Sequence, residues 1–100
     1  MQQYLPETIN VLGTEVKIKI EDMPDAFAEW DLGNCQIRFC PDIKPDYLRP
    51  TVLHELIHVI DDFLGIGIKH STVYALSATL FQILKANPEL AKWLLDTSDI

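Results

Sequence analysis

Apolar positions alternate with polar ones over the first forty residues, and from the fifties onward they recur every three to four. Val16, Ile18 and Ile20 are interleaved with Glu15, Lys17 and Lys19, the period of a half-buried strand. Thr8 to Leu12 is its expected partner, joined through Gly13-Thr14. Residues 27–31 and 35–40 flank Gly33-Asn34 and predict a second hairpin, with Pro24-Asp25 marking the connection between the pairs. Pro41, Pro45 and Pro50 then bracket a stretch with room for one helical turn. A helix is predicted from about Pro50, where a missing N–H costs nothing in the first turn, to Leu64, with Gly65 and Gly67 ending it.

A second helix is expected from Ser71, its capping residue, to about Ala86. Asn87-Pro88-Glu89 signals a last helix, with Asn87 as its cap and Pro88 at its first position, that carries Leu90, Trp93, Leu94 and Leu95 and frays near Thr97. Strands come first and helices after, which predicts an α+β domain. Its N-terminal twisted sheet, antiparallel or mixed, has about four strands, and three to four helices follow. One hundred residues suffice for one core and not for two, so residues 1–100 form a single domain.

Wound as a helix, residues 50–64 sort into two sides. Val52, Leu53, Leu56, Ile57, Val59, Ile60, Phe63 and Leu64 fill a wide apolar arc. His54, Glu55, His58, Asp61 and Asp62 make one continuous ionisable stripe opposite it. Any amphipathic helix puts such residues on its wet side, so the stripe alone carries no chemistry.

The order within the stripe does. His54-Glu55-Leu56-Ile57-His58 is a complete H-E-x-x-H sequence. Residues four apart lie one turn above each other on the same face, so two imidazoles there can share one cation, with a glutamate beside it as general base. With three His and six Glu in the chain, about 0.005 accidental matches are expected. Asp61 lies on the same side but too far along the axis for its short side chain to reach an ion between the histidines. Helical side chains lean towards the N-terminus, so Asp61 is expected to support the His58 ring, fixing its tautomer. Asp62 is read as a solvated acid.

Composition narrows the partners. A formal net charge of −7 with scattered basic residues argues against nucleic acid. No apolar run is long enough for a membrane span, and no basic-then-apolar leader opens the chain, which predicts a cytoplasmic protein without a membrane partner. Cys35 and Cys40 are expected on one strand, about 16 Å apart along extended chain, too far for a disulfide.

The HExxH segment resembles the zincin metallopeptidases. Size and element order look most like the minimal gluzincins and the small HExxH proteins encoded by phages and prophages. The stretch from Thr51 to Asp61 is similar to the core pattern of the phage group. So are Val73-Tyr74-Ala75-Leu76-Ser77, Phe81, Gln82, Leu84 and Asn87-Pro88. The resemblance implies a zincin-like domain with Zn²⁺ held by His54 and His58, and Glu55 as the general base of peptide-bond hydrolysis. It also implies an edge strand, 27–31 or 35–40, that takes a peptide or protein substrate as an added strand.

The third ligand departs from the family. A gluzincin places a glutamate on the next helix, and no Glu occurs between Glu55 and Glu89. A metzincin places glycine and histidine after the motif, where Asp61 and Leu64 stand. His70 is the best remaining donor. Were the two helices a simple hairpin, Ser77 would lie level with the ion instead, and with Tyr74 would be placed to hydrogen-bond a water or an oxyanion. Three functions stay open: a zinc metallopeptidase, a phage or prophage accessory protein that keeps the fold to bind metal or protein with little turnover, and a closed structural metal site.

Overall fold

The computed structural model describes residues 5–96 and residue 98. The elements are β1 (Thr8–Val11), β2 (Thr14–Ile20), β3 (Ala28–Asp31), β4 (Gln36–Phe39), α1 (Pro45–Leu64), α2 (His70–Ala86) and α3 (Pro88–Leu94). The architecture is α+β, with one four-stranded mixed sheet and three helices among the described residues. Thr97, where the last helix was expected to fray, lies outside those residues.

Both hairpins form where the turn residues predict them. Leu12 and Gly13 both take positive φ, the geometry that lets a two-residue turn follow the strands' twist. The hairpins then join side by side through their inner strands, giving the order β1-β2-β4-β3. β1 with β2 and β3 with β4 are antiparallel, while β2 and β4 run parallel, Ile18 beside Ile37 and Ile20 beside Phe39. β4 is therefore interior. Of the two segments offered as an edge, 27–31 holds the edge strand and 35–40 does not.

Alternation sorts the sheet's two faces. Ile9, Val11, Val16, Ile18, Ala28, Trp30, Ile37 and Phe39 share the face that α1 covers, while Lys17, Lys19, Glu29 and Arg38 point the other way. Val16, Ile37, Phe39 and Val59 are fully buried, and Leu48, Val52, Leu56 and Phe63 of α1 close around them. α2 packs on α1, and α3 on α2.

Four local expectations are corrected. α1 begins at Pro45, so Pro50 lies inside the helix, where it withholds one N–H from the carbonyl of Asp46. Ser71 does not cap α2, whose N-cap is the extended residue Lys69. Cys35 has positive φ in the turn before β4 and Cys40 follows that strand's end, so the two do not share a strand, and both are free thiols. The side chain of Asn87 serves the end of α2, donating Nδ2–H to the Ile83 carbonyl at 2.8 Å, instead of capping α3.

Candidate metal centre

One turn of α1 sets His54 above His58, and their Nε2 atoms face each other at 3.1 Å. Two nitrogens bound at about 2.0–2.1 Å to one tetrahedral ion lie about 3.3 Å apart, so this pair already has the spacing of two ligands. His70, the first residue of α2, brings a third ring. Its centroid is 5.1 Å from that of His54 and 5.2 Å from that of His58, stacked on the latter. One nitrogen from each of the three rings lies within 4.8 Å of the others. Three histidines are therefore close enough to hold a metal ion. His70 is exposed in the first helical turn, where side-chain rotation can close the remaining distance.

Buried Ser77 completes the surroundings of His54. Its hydroxyl donates to the Tyr74 carbonyl at 3.1 Å, which leaves its lone pairs towards His54 Nδ1 at 3.4 Å. That long contact suits a proton on Nδ1 and a lone pair on Nε2, the nitrogen that faces the centre. Sequence reasoning offered His70 and Ser77 as alternatives at this level of the site. The fold brings both beside His54, because the loop between the helices folds back.

Electrostatics favour the neutral form of His54 and His58. Burial, then the neighbouring His58 and His70, push His54 below the ordinary value of 6.5. Burial also lowers His58, with His70 adding to the shift and the charges of Asp61 and Asp62 opposing it. Both rings stay neutral at a more acidic pH than a free histidine, the state a metal ligand needs. Glu55, only 6% exposed, is raised above the usual 4.5 by burial, with the backbone N–H of Trp30 acting in the opposite direction. A carboxylate short of water is a stronger base.

Asp61 does not act as expected. Its Oδ1 accepts the backbone N–H groups of Gly67 at 2.6 Å and Ile68 at 3.1 Å, so it reaches His58 as a charge and not through a hydrogen bond. Asp62 is not merely solvated, for its Oδ2 accepts the Trp30 indole N–H at 2.6 Å. That bond ties α1 to the edge strand. Nothing local in the sequence signals either link; both depend on how the chain returns.

A cleft of about 420 Å³ opens beside these groups, lined by Phe27, Ala28, Tyr47, Thr51, His54, Glu55, His70, Tyr74 and Ser77 among others. Phe27 and Tyr47, both largely exposed, also border a second hollow of about 630 Å³ around Met23, Pro41 and Ile43. Cys40 N–H bonds the Phe27 carbonyl, and with the β3–β4 register this turns the backbone polar groups of Ala28 and Trp30 away from β4, where the Trp30 N–H meets the Glu55 carboxylate and Ala28 has no strand partner among the described residues. Ala28 lines the cleft, so the open edge runs along the histidine site.

Compared with protein-family models, curated proteins and solved structures, the chain matches none of them. Among the described residues no helix is long and apolar enough to cross a membrane.

Proposed function

We propose that the chain is a small zinc metallopeptidase-like hydrolase of zincin type. The observation that carries this reading is the convergence of three imidazoles from two helices, two of them lining a cleft together with the buried Glu55 and with Ala28 of the edge strand. An all-imidazole donor set suits zinc, as it does copper, iron and nickel; the H-E-x-x-H order is what favours zinc here. Three protein ligands are the complement of catalytic zinc sites, whereas structural sites close with four. When bound, zinc polarises a substrate carbonyl and acidifies water beside it.

The chain's own residues supply the rest. The outward groups of Ala28 hold an extended peptide along β3 and present its carbonyl to the cleft. Glu55 removes the proton from the attacking water and passes it to the leaving amine, a transfer suited to a carboxyl with a raised pKa. Ser77 keeps the lone pair of His54 on Nε2. Tyr74, whose ring centroid is 6.0 Å from that of His54, is the hydroxyl available to the carbonyl oxygen as it gains charge.

The deciding experiment is Glu55→Gln with metal content and cleavage of an unstructured protein measured together. Zinc is expected to remain while cleavage disappears. Full activity in that variant would refute the mechanism.

A second reading has its own support. Leu76, Leu80 and Ile83 form an exposed apolar stripe on α2, and Trp93 and Leu94 of α3 are exposed as well. An accessory protein of the phage or prophage kind, holding metal and binding another protein with little turnover, would use such a surface. Stoichiometric zinc with measurable cleavage by wild type and none by Glu55→Gln decides against it.

A further inference from the structure

We infer that Asp61 is the positioning residue for the third histidine: it clasps the loop between the helices and thereby sets His70 against His54 and His58. The inference rests on the reading of those histidines as metal ligands, and it assigns Asp61 a role through the backbone instead of through the His58 ring.

Four consecutive backbone N–H groups converge on this one residue. The Asp61 carbonyl accepts Gly65 N–H, which closes α1 in left-handed geometry, and Ile66 N–H at 3.2 Å. Its carboxylate then accepts Gly67 and Ile68 N–H through Oδ1. Gly65 and Gly67 have φ of 61° and 80°, conformations open to glycine and costly for most residues. The glycines permit the reversal but do not select it, since flexible backbone has many alternatives. A carboxylate bonding two successive N–H groups selects one path, and charge-assisted bonds are the stronger kind.

The path matters because His70 follows at once. Lys69 is extended, and its carbonyl accepts Thr72 and Val73 N–H to start α2. Val73 and Ser77 are the buried residues of α2, three and seven positions after His70. The turn ahead of them has no side-chain cap, and His70, Ser71 and Thr72 are exposed. Packing therefore seats the middle of α2, while the loop held by Asp61 determines where its first residue stands.

The test compares wild type, Asp61→Ala, Asp61→Asn, His70→Ala and the Asp61→Ala/His70→Ala double variant. Each is titrated with Zn²⁺ against a chromophoric chelator and with Co²⁺ for its visible spectrum. Asp61→Ala is expected to weaken zinc binding by about 10–100-fold, the range for a residue that orients a ligand, and to give the Co²⁺ spectrum of His70→Ala. Asn retains the accepting oxygen, so Asp61→Asn should stay within about threefold of wild type, far short of the loss expected of an unmade clasp. On the His70→Ala background the aspartate should no longer matter, to within about twofold. A loss in Asp61→Asn as large as in Asp61→Ala would mean that charge acts and the clasp does not. An undiminished Asp61→Ala effect without His70, or no effect at all, would overturn the assignment too.

The proposal is also tested apart from metal. Ring-to-ring nuclear Overhauser contacts between His54 and His70 are expected in metal-free wild type and Asp61→Asn, and should vanish in Asp61→Ala. If wild type binds no zinc, the metal reading falls and these contacts alone decide the clasp: survival in Asp61→Ala refutes it. Should Asp61→Ala not fold, Asp61→Ser, too short to span both N–H groups, takes its place with the same expectations.

Discussion

The two sides of α1 obey different rules. Leu48, Val52, Leu56, Val59 and Phe63 meet the sheet with apolar groups throughout, and the core they close is fully buried at its centre. The other side carries His54, Glu55 and His58. There the helix buries a carboxylate and sets two imidazoles edge to face, both lowered in pKa by burial first and by neighbouring rings second. Local choices that oppose stability concentrate where a protein acts, and on this helix they concentrate around the three histidines.

The comparison is broken most sharply by paired substitutions. On the ionisable side, Glu55→Gln should reduce peptide cleavage by about 10²–10⁴-fold, the worth of a general base, with zinc content unchanged. On the sheet side, Phe39→Ala should cost about 3–5 kcal/mol of stability, read from denaturant unfolding. Its remaining folded fraction should bind zinc as wild type does.

The pH dependence of Glu55 sharpens the contrast. Its folded pKa lies above 4.5, so between 4.5 and that raised value the folded protein holds a proton that the unfolded chain releases. Stability from this group is present below 4.5 and is lost as pH rises through the folded value. Above the raised value the charged side chain therefore opposes folding. Glu55→Gln should melt higher than wild type at pH 7, and the advantage should vanish below pH 4.5. An equal difference at both pH values would contradict the burial argument.

The smallest effect concerns the link between helix and edge strand. Trp30→Phe keeps the edge-to-face packing on Phe63 but removes the indole bond to Asp62. It should cost about 1 kcal/mol, seen as a small shift of the unfolding midpoint, and should lower cleavage only as far as β3 moves.

What the sequence made legible was local. The His54-to-His58 spacing is set by one helical turn, and the hairpin turns by Gly13 and the loop at Gly33. Alternation from Val16 to Ile20 identified a half-buried strand, and Gly65 the end of α1. What stayed hidden depends on residues distant in sequence. Parallel pairing of β2 with β4 follows from how two hairpins meet, so which segment became the edge was not readable. Ser71 has the chemistry of a cap, but with the loop held by Asp61 the cap position falls two residues earlier, at Lys69, and α2 starts at His70. Asp61 and Asp62 looked like neighbours on a wet face, and only the returning chain gives one of them a loop to hold and the other an indole.

The central claim is that His54, His58 and His70 together hold one zinc ion, and zinc stoichiometry after dialysis tests it most directly. One ion per wild-type chain is expected, lost in His54→Ala and His58→Ala and reduced in His70→Ala, with each variant still folded by circular dichroism. No retained zinc in wild type, or undiminished zinc in folded His54→Ala or His58→Ala, would contradict it.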